Sequence, residues 1–165
     1  HLSLRRQRQM CIRDSLKAAA SGLSDFTTGT FKPFIPDAKV SNASRLIFTS
    51  GKVYYDLIAE REKLGEHSTA IARVEQLYPL PIDEMIAEAK KHPNATLLWV
   101  QDEPANQGPW PFVSAAAQET FPSHDELNNR TLRRVSRRAT ASPATGNHHL
   151  HEEEQHALMM EAFTR

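Results

Sequence analysis

The sequence predicts an α/β fold, three-layer α/β/α with a mostly parallel sheet. Three observations carry this expectation. Short runs of β-branched and aromatic residues alternate with segments of helical period. The length, 165 residues, suits one compact domain with a real core. The run Ala95-Thr96-Leu97-Leu98-Trp99-Val100 is apolar and then gives way to a polar, turn-rich stretch. In α/β proteins the carboxyl end of a buried strand is the usual place for a site.

Taken in order, the elements divide the chain into three parts. Residues 1–15 form an arginine-rich head with neither period nor turn chemistry. This head is expected to be non-native or disordered, in preference to a basic arm for nucleic acid. Residues 16–44 are expected to be an extended connector. Ser24 and Asp25 there offer a short capped turn, and Phe26, Phe31, Phe34 and Ile35 collect on no regular face. Such a segment needs a surface to lie on. Residues 45–165 form the α/β domain.

Within the domain, strands are expected near 45–49, 70–75, 96–101 and 132–136. A helix over 53–63 follows from Val53, Leu57 and Ile58 at helical spacing, with Gly65 as its stop. Pro81 precedes a helix over 82–91, where Asp83 and Glu84 suit the positive end of the dipole and Lys90 and Lys91 the negative end. The alanine-rich stretch 112–121 is a third helix and 152–163 a fourth. Strands alternating with helices put helices on both faces of a parallel sheet, each crossover right-handed.

Composition narrows the function. Twenty basic residues balance twenty acidic ones, so no global field points to nucleic acid or to a membrane surface. Cys11 is the single cysteine, which excludes an internal disulfide framework and fits a reducing compartment. No apolar run approaches the roughly 20 residues that span a bilayer, and the head lacks the apolar core of a signal peptide. A cytoplasmic protein is the expectation.

The loops offer limited chemistry. Ser50, Gly51 and Lys52 follow a strand and open a helix, where backbone N–H groups can receive an anion, but the spacing is not that of a phosphate loop. Arg133, Arg134, Arg137 and Arg138 cluster about the last strand, whose alternation lets at most two converge. A weak effector-anion site is expected where Ser50, Gly51 and Lys52 meet Arg137 or Arg138. His148, His149, His151 and His156 lack a third ligand at metal-binding spacing. No nucleophile sits beside an evident base, so no catalytic, cofactor or metal residues are assigned.

Several motifs follow one another in order: Ser50-Gly51-Lys52-Val53-Tyr54-Tyr55-Asp56-Leu57; Arg73-Val74-Glu75-Gln76-Leu77-Tyr78-Pro79-Leu80-Pro81; Asp102-Glu103-Pro104-Ala105-Asn106-Gln107-Gly108; and Arg138-Ala139-Thr140-Ala141-Ser142-Pro143-Ala144-Thr145-Gly146. Together they resemble the C-terminal domain of the thiamine-diphosphate-dependent first component of 2-oxoglutarate dehydrogenase, over nearly the whole chain beyond its head. The connector and the Arg137-Arg138 pair look most like the multifunctional 2-oxoglutarate decarboxylase branch. Asp102 stands where that family usually has glutamate, Pro109 where a small residue is common, and Thr140 where serine is common.

The resemblance implies a transketolase C-terminal-domain-like fold. It implies a parent that decarboxylates 2-oxoglutarate on thiamine diphosphate and magnesium and passes the succinyl group to a lipoyl arm feeding the citric acid cycle. The family's Gly-Asp-Gly motif is absent here, so the chain is expected to be a structural, subunit-contacting fragment that is inactive alone. Implied partners are the remaining parent domains, a second copy in a homodimer, the lipoyl-bearing acyltransferase and dihydrolipoyl dehydrogenase. Asp102, Glu103, Asn106, Gln107 and Gly108 are expected to shape a structural loop. The alternatives are a regulatory module binding an acyl-CoA effector, or the equivalent domain of a transketolase or branched-chain 2-oxoacid dehydrogenase. The Asn-Gln-Gly loop weighs against the last of these.

Overall fold

The computed structural model describes residues 17–127 and 129–164. The expected head, residues 1–15, lies outside them. Two compact units divide at Lys32 and Pro33. In the first, a 3-10 turn at Lys17–Ala19 precedes a short helix, α1 (Leu23–Thr27). The Asp25 carboxylate accepts the Gly22 N–H at 3.0 Å, so the turn expected at Ser24 and Asp25 is present. Leu23, Phe26 and Phe31 are all exposed.

The second unit carries a five-stranded sheet: β1 (Phe34–Ile35), β2 (Arg45–Thr49), β3 (Thr69–Val74), β4 (Thr96–Pro104) and β5 (Leu132–Arg137). Four helices accompany it: α2 (Val53–Leu64), α3 (Ile82–Lys91), α4 (Trp110–Thr120) and α5 (His148–Thr164). The strand order is β1-β3-β2-β4-β5, with every pairing parallel except β1 on β3. The four expected strands therefore pair in parallel as the alternation of patterns demands.

Side-chain alternation sorts the core into two layers. Leu46, Phe48, Ala70, Ala72, Leu97 and Trp99 pack with Met85, Ile86 and Ala89 of α3 and with Val113 and Ala117 of α4. Ile47, Ile71, Leu98, Val100 and Val135 face the other way, onto Val53 and Leu57 of α2 and Leu158, Met159, Ala162 and Phe163 of α5. Fully burying one such aliphatic or aromatic side chain contributes about 1.5–3 kcal/mol.

Three details differ from the sequence reading. Residues 33–44, read as connector, contribute β1 and a buried ion pair. Asp37 there pairs with Arg61 of α2 and accepts the Ile71 N–H at 2.9 Å. A two-residue strand is too short to show a period. Helix α5 starts at His148, four residues before the expected start, because Asn147 Oδ1 accepts the Leu150 N–H at 3.3 Å as a cap. Strand β4 runs on past its expected end at Gln101, through Asp102 and Glu103 to Pro104, where a polar loop was expected. A register shift between Val100 and Pro104 marks a bulge that lets the chain bend there while it still pairs with β5.

Candidate functional site

The connection leaving β2 runs to β3 on one side, and the connection leaving β4 runs to β5 on the other. The carboxyl ends of β2 and β4 therefore form the topological switch point of the sheet, where α/β folds open a crevice. Two of the motifs meet there, the Ser50-Gly51-Lys52 turn and the 101–109 stretch.

Alternation carries through the end of β4 and sends successive side chains to opposite layers. Gln101 lies on the face of Leu97 and Trp99 and is 1 % exposed. Its Oε1 accepts the Trp99 Nε1–H and the Trp110 N–H, both at 3.0 Å. Its Nε2 donates to the carbonyls of Gln107 at 2.8 Å, Pro104 at 3.2 Å and Glu103 at 3.3 Å. One side chain thus ties the strand end, the turn and the start of α4 together. The sequence reading missed Gln101. The available signal was its period-2 relation to Leu97 and Trp99, which puts a polar group inside a core with an indole N–H to satisfy.

Asp102 faces the other layer. Burial pushes its carboxyl above the ordinary aspartate range; Lys52 opposes this, Asp56 adds to it, and Arg137 and the Gln155 amide oppose it. Its Oδ1 is buried without a hydrogen-bond partner. Around it, Lys52 Nζ bonds Asp56 Oδ2 at 2.8 Å, and Gln155 Nε2 donates to that same oxygen at 3.2 Å. Arg137 Nη2 donates to His151 Nδ1 at 3.0 Å and to Gln155 Oε1 at 3.1 Å. At Asp102 burial outweighs the contacts that favour the charged form.

The remaining loop residues act on the segment after β5. Asn106 Nδ2 donates to the Thr140 carbonyl at 3.0 Å and its Oδ1 accepts the Thr140 N–H at 3.1 Å. Gln107 Nε2 donates to the Thr140 carbonyl at 2.9 Å. Gly108 has φ +66°, and a Cβ there would lie 2.9 Å from that of Glu103, so both the turn and the close approach require glycine. Glu103 itself is exposed.

The five expected anion residues are divided. Lys52 and Arg137 both act on Asp102, whereas Arg137 and Arg138 line a cavity of about 280 Å³ with Thr140, Ser142 and Thr145. Ser50 and Gly51 do not line it. Arg134 instead lies over the Trp110 ring, 5.6 Å from its centroid, on the opposite face of β5 from Arg137. Alternation in β5 separates these arginines, as the sequence reading required.

The family model described as 2-oxoglutarate dehydrogenase C-terminal matches residues 20–163. The chain belongs to this family. Among its relatives, the 2-oxoglutarate dehydrogenase E1 component of Cupriavidus necator is 45% identical over 153 residues, covering 90% of this chain and 16% of the relative. The 2-oxoglutarate dehydrogenase E1/E2 component of Corynebacterium glutamicum is 44% identical over 152 residues, 89% of this chain and 12% of the relative. The multifunctional 2-oxoglutarate metabolism enzyme of Mycolicibacterium vanbaalenii is 40% identical over 155 residues, again 89% and 12%. The chain therefore spans 12–16% of the length of these relatives.

Among the described residues no group of three or more His, Cys, Asp or Glu side chains gathers as a metal set. The sequence also carries no Gly-Asp-Gly. Among the described residues, no helix is long and apolar enough to cross a membrane.

Proposed function

We propose that the chain serves as the C-terminal framing domain of a larger E1 chain that decarboxylates 2-oxoglutarate on thiamine diphosphate and magnesium. The succinyl group then passes to a lipoyl-bearing acyltransferase, with dihydrolipoyl dehydrogenase completing a cytoplasmic complex of the citric acid cycle. In this reading the domain supplies contacts within a homodimer, and Asp102, Glu103, Asn106, Gln107 and Gly108 shape a loop without moving protons. The observation that carries the reading is the family match over residues 20–163 in relatives many times longer. Titration of thiamine diphosphate with magnesium into the 165-residue chain tests it. No heat of binding is expected, and measurable saturable binding overturns the reading.

A second reading, an acyl-CoA effector pocket, is favoured by the cavity that Arg137 and Arg138 share with Thr140, Ser142 and Thr145. A guanidinium and hydroxyls are suitable donors for phosphate. Losing one charged contact of this kind costs on the order of 1.5–3 kcal/mol, roughly tenfold or more in affinity. Titration of acetyl-CoA into the full-length enzyme, wild type against Arg138→Ala, tests this; equal affinities remove Arg138 from the pocket.

A further inference from the structure

Three of the exposed large apolar side chains in the second unit stand singly, as surface leucines and methionines commonly do. Leu64 ends α2, and Leu150 and Met160 lie on α5. One group differs. Tyr78, 81% exposed, meets Phe112, 44% exposed, ring to ring with centroids 6.0 Å apart, and Leu77 beside Tyr78 is exposed as well. Tyr78 comes from the loop after β3 and Phe112 from the first turn of α4, which follows β4. Parallel strands bring both to the carboxyl edge of the sheet. We propose that this Tyr78–Phe112 patch, extended by Leu77, docks against an apolar surface on the body of the larger E1 chain. The proposal rests on the framing-domain reading above.

The chemistry of the patch selects its occupant. Residues 76–82 carry no charge, and neither do residues 104–118. Neither stretch supplies a cation for a nucleic acid or an anionic lipid surface, and the Arg134 guanidinium from β5 is taken up over the Trp110 ring. They suit an apolar protein face, where aromatic anchors dominate the binding energy.

The patch is also held in place before it binds. Pro33 O accepts the N–H groups of Glu75 and Gln76 at 2.9 and 3.1 Å, and Gln76 Nε2 donates to Pro79 O at 2.7 Å. On the other side, Gln101 fixes the Trp110 N–H and Phe112 N donates to Pro109 O at 3.1 Å. Rings presented from fixed backbone lose little entropy on docking. The size of the partner is given by the relatives, in which 84–88% of the length lies outside the matched segment, the complement of the 16% and 12% that is matched.

Hydrogen exchange on the 165-residue chain and on the full-length E1 chain tests the proposal. Peptides over 76–80 and 108–114 are expected to exchange at least several-fold more slowly in the full-length enzyme. Tyr78→Ser with Phe112→Ser is expected to lower the melting temperature of the full-length enzyme and leave that of the 165-residue chain unchanged. Unchanged exchange in a full-length enzyme that turns over 2-oxoglutarate overturns the docking surface alone. A full-length enzyme with no such turnover counts instead against the framing-domain reading. Sedimentation of the 165-residue chain at rising concentration is expected to show a monomer. A dimer that Tyr78→Ser dissolves would overturn the proposal in favour of a second copy of this chain.

Discussion

Gln101 Oε1 stands 3.0 Å from the backbone N–H of Trp110, nine residues on, and joins the end of β4 to the first turn of α4. The Trp110 N–H is one of the donors a helix start leaves unpaired, and a buried glutamine meets it where a side-chain cap would. Gln101→Leu keeps the volume and removes every polar partner. The Trp99 indole N–H, the Trp110 N–H and three carbonyls then lose a bond at buried or half-buried positions. The expected cost is about 2–4 kcal/mol. A urea unfolding midpoint within error of wild type would show that water replaces the side chain.

Asp102 carries the opposite sign from most acids in folded proteins. Burial raises its carboxyl in the folded state above the unfolded value. The folded state therefore holds the proton more tightly, and stability falls as pH rises through the window between the ordinary aspartate range and the raised value. Asp102→Asn removes that penalty. The variant is expected to melt higher than wild type at neutral pH, with the difference vanishing in acid below the unfolded pKa. A variant that melts lower than wild type at neutral pH, with the deficit vanishing in acid, would mean that the contacts with Lys52 and Arg137 outweigh burial.

The two sides of Asp102 show what can be read from one dimension. Leu97, Trp99 and the run to Val100 announce β4, because buried parallel strands leave a long apolar signature. Period 2 also separates Arg134 from Arg137 before any coordinates are needed. The same rule places Gln101 inside, but the acids and the proline that follow it look like the start of a loop. Only the bulge against β5 shows that the strand continues. Strand β1 and the Asp37–Arg61 pair were out of reach for a different reason. Each depends on contacts between residues far apart in sequence, and two residues cannot display a period. The proposed anion residues divided because Arg137 lies 91% buried against α5, where Glu154, His151 and Gln155 occupy it.

Asn106 and Thr140 exchange a donor and an acceptor across two loops, much as paired strands do. Asn106→Asp retains the acceptor for the Thr140 N–H and sets a charge against the Thr140 carbonyl. Both bonds are exposed, so the change in global stability is expected to stay within roughly 1 kcal/mol. The local effect is expected to be larger, because loop segments open separately from the core. Hydrogen exchange over 138–146 should accelerate while the peptides of β4 and β2 keep their rates. Equal acceleration in both would show that the loop opens only with the whole domain.

Arg130 makes a larger demand on the same balance at the opposite edge of the sheet. Its Nη2 donates to Ala89 O at 2.8 Å, Nη1 to His92 O at 2.8 Å and Ala95 O at 3.1 Å, and Nε to Leu127 O at 3.0 Å. The Ala89 carbonyl belongs to the last turn of α3, where carbonyls lack helical partners and the dipole favours a cation. Burial lowers the Arg130 pKa from its ordinary value, and that value is high enough for the group to stay charged at neutral pH. Arg130→Ala removes all four contacts and is expected to cost about 2–3 kcal/mol. Arg130→Lys keeps the charge but not the planar fork, and a point donor cannot reach carbonyls of α3, of the turn before β4 and of Leu127 at once. Lysine should therefore recover less than half of the loss in the urea midpoint. Full recovery by lysine would show that the charge at the end of α3, and not the fork, carries the stabilisation.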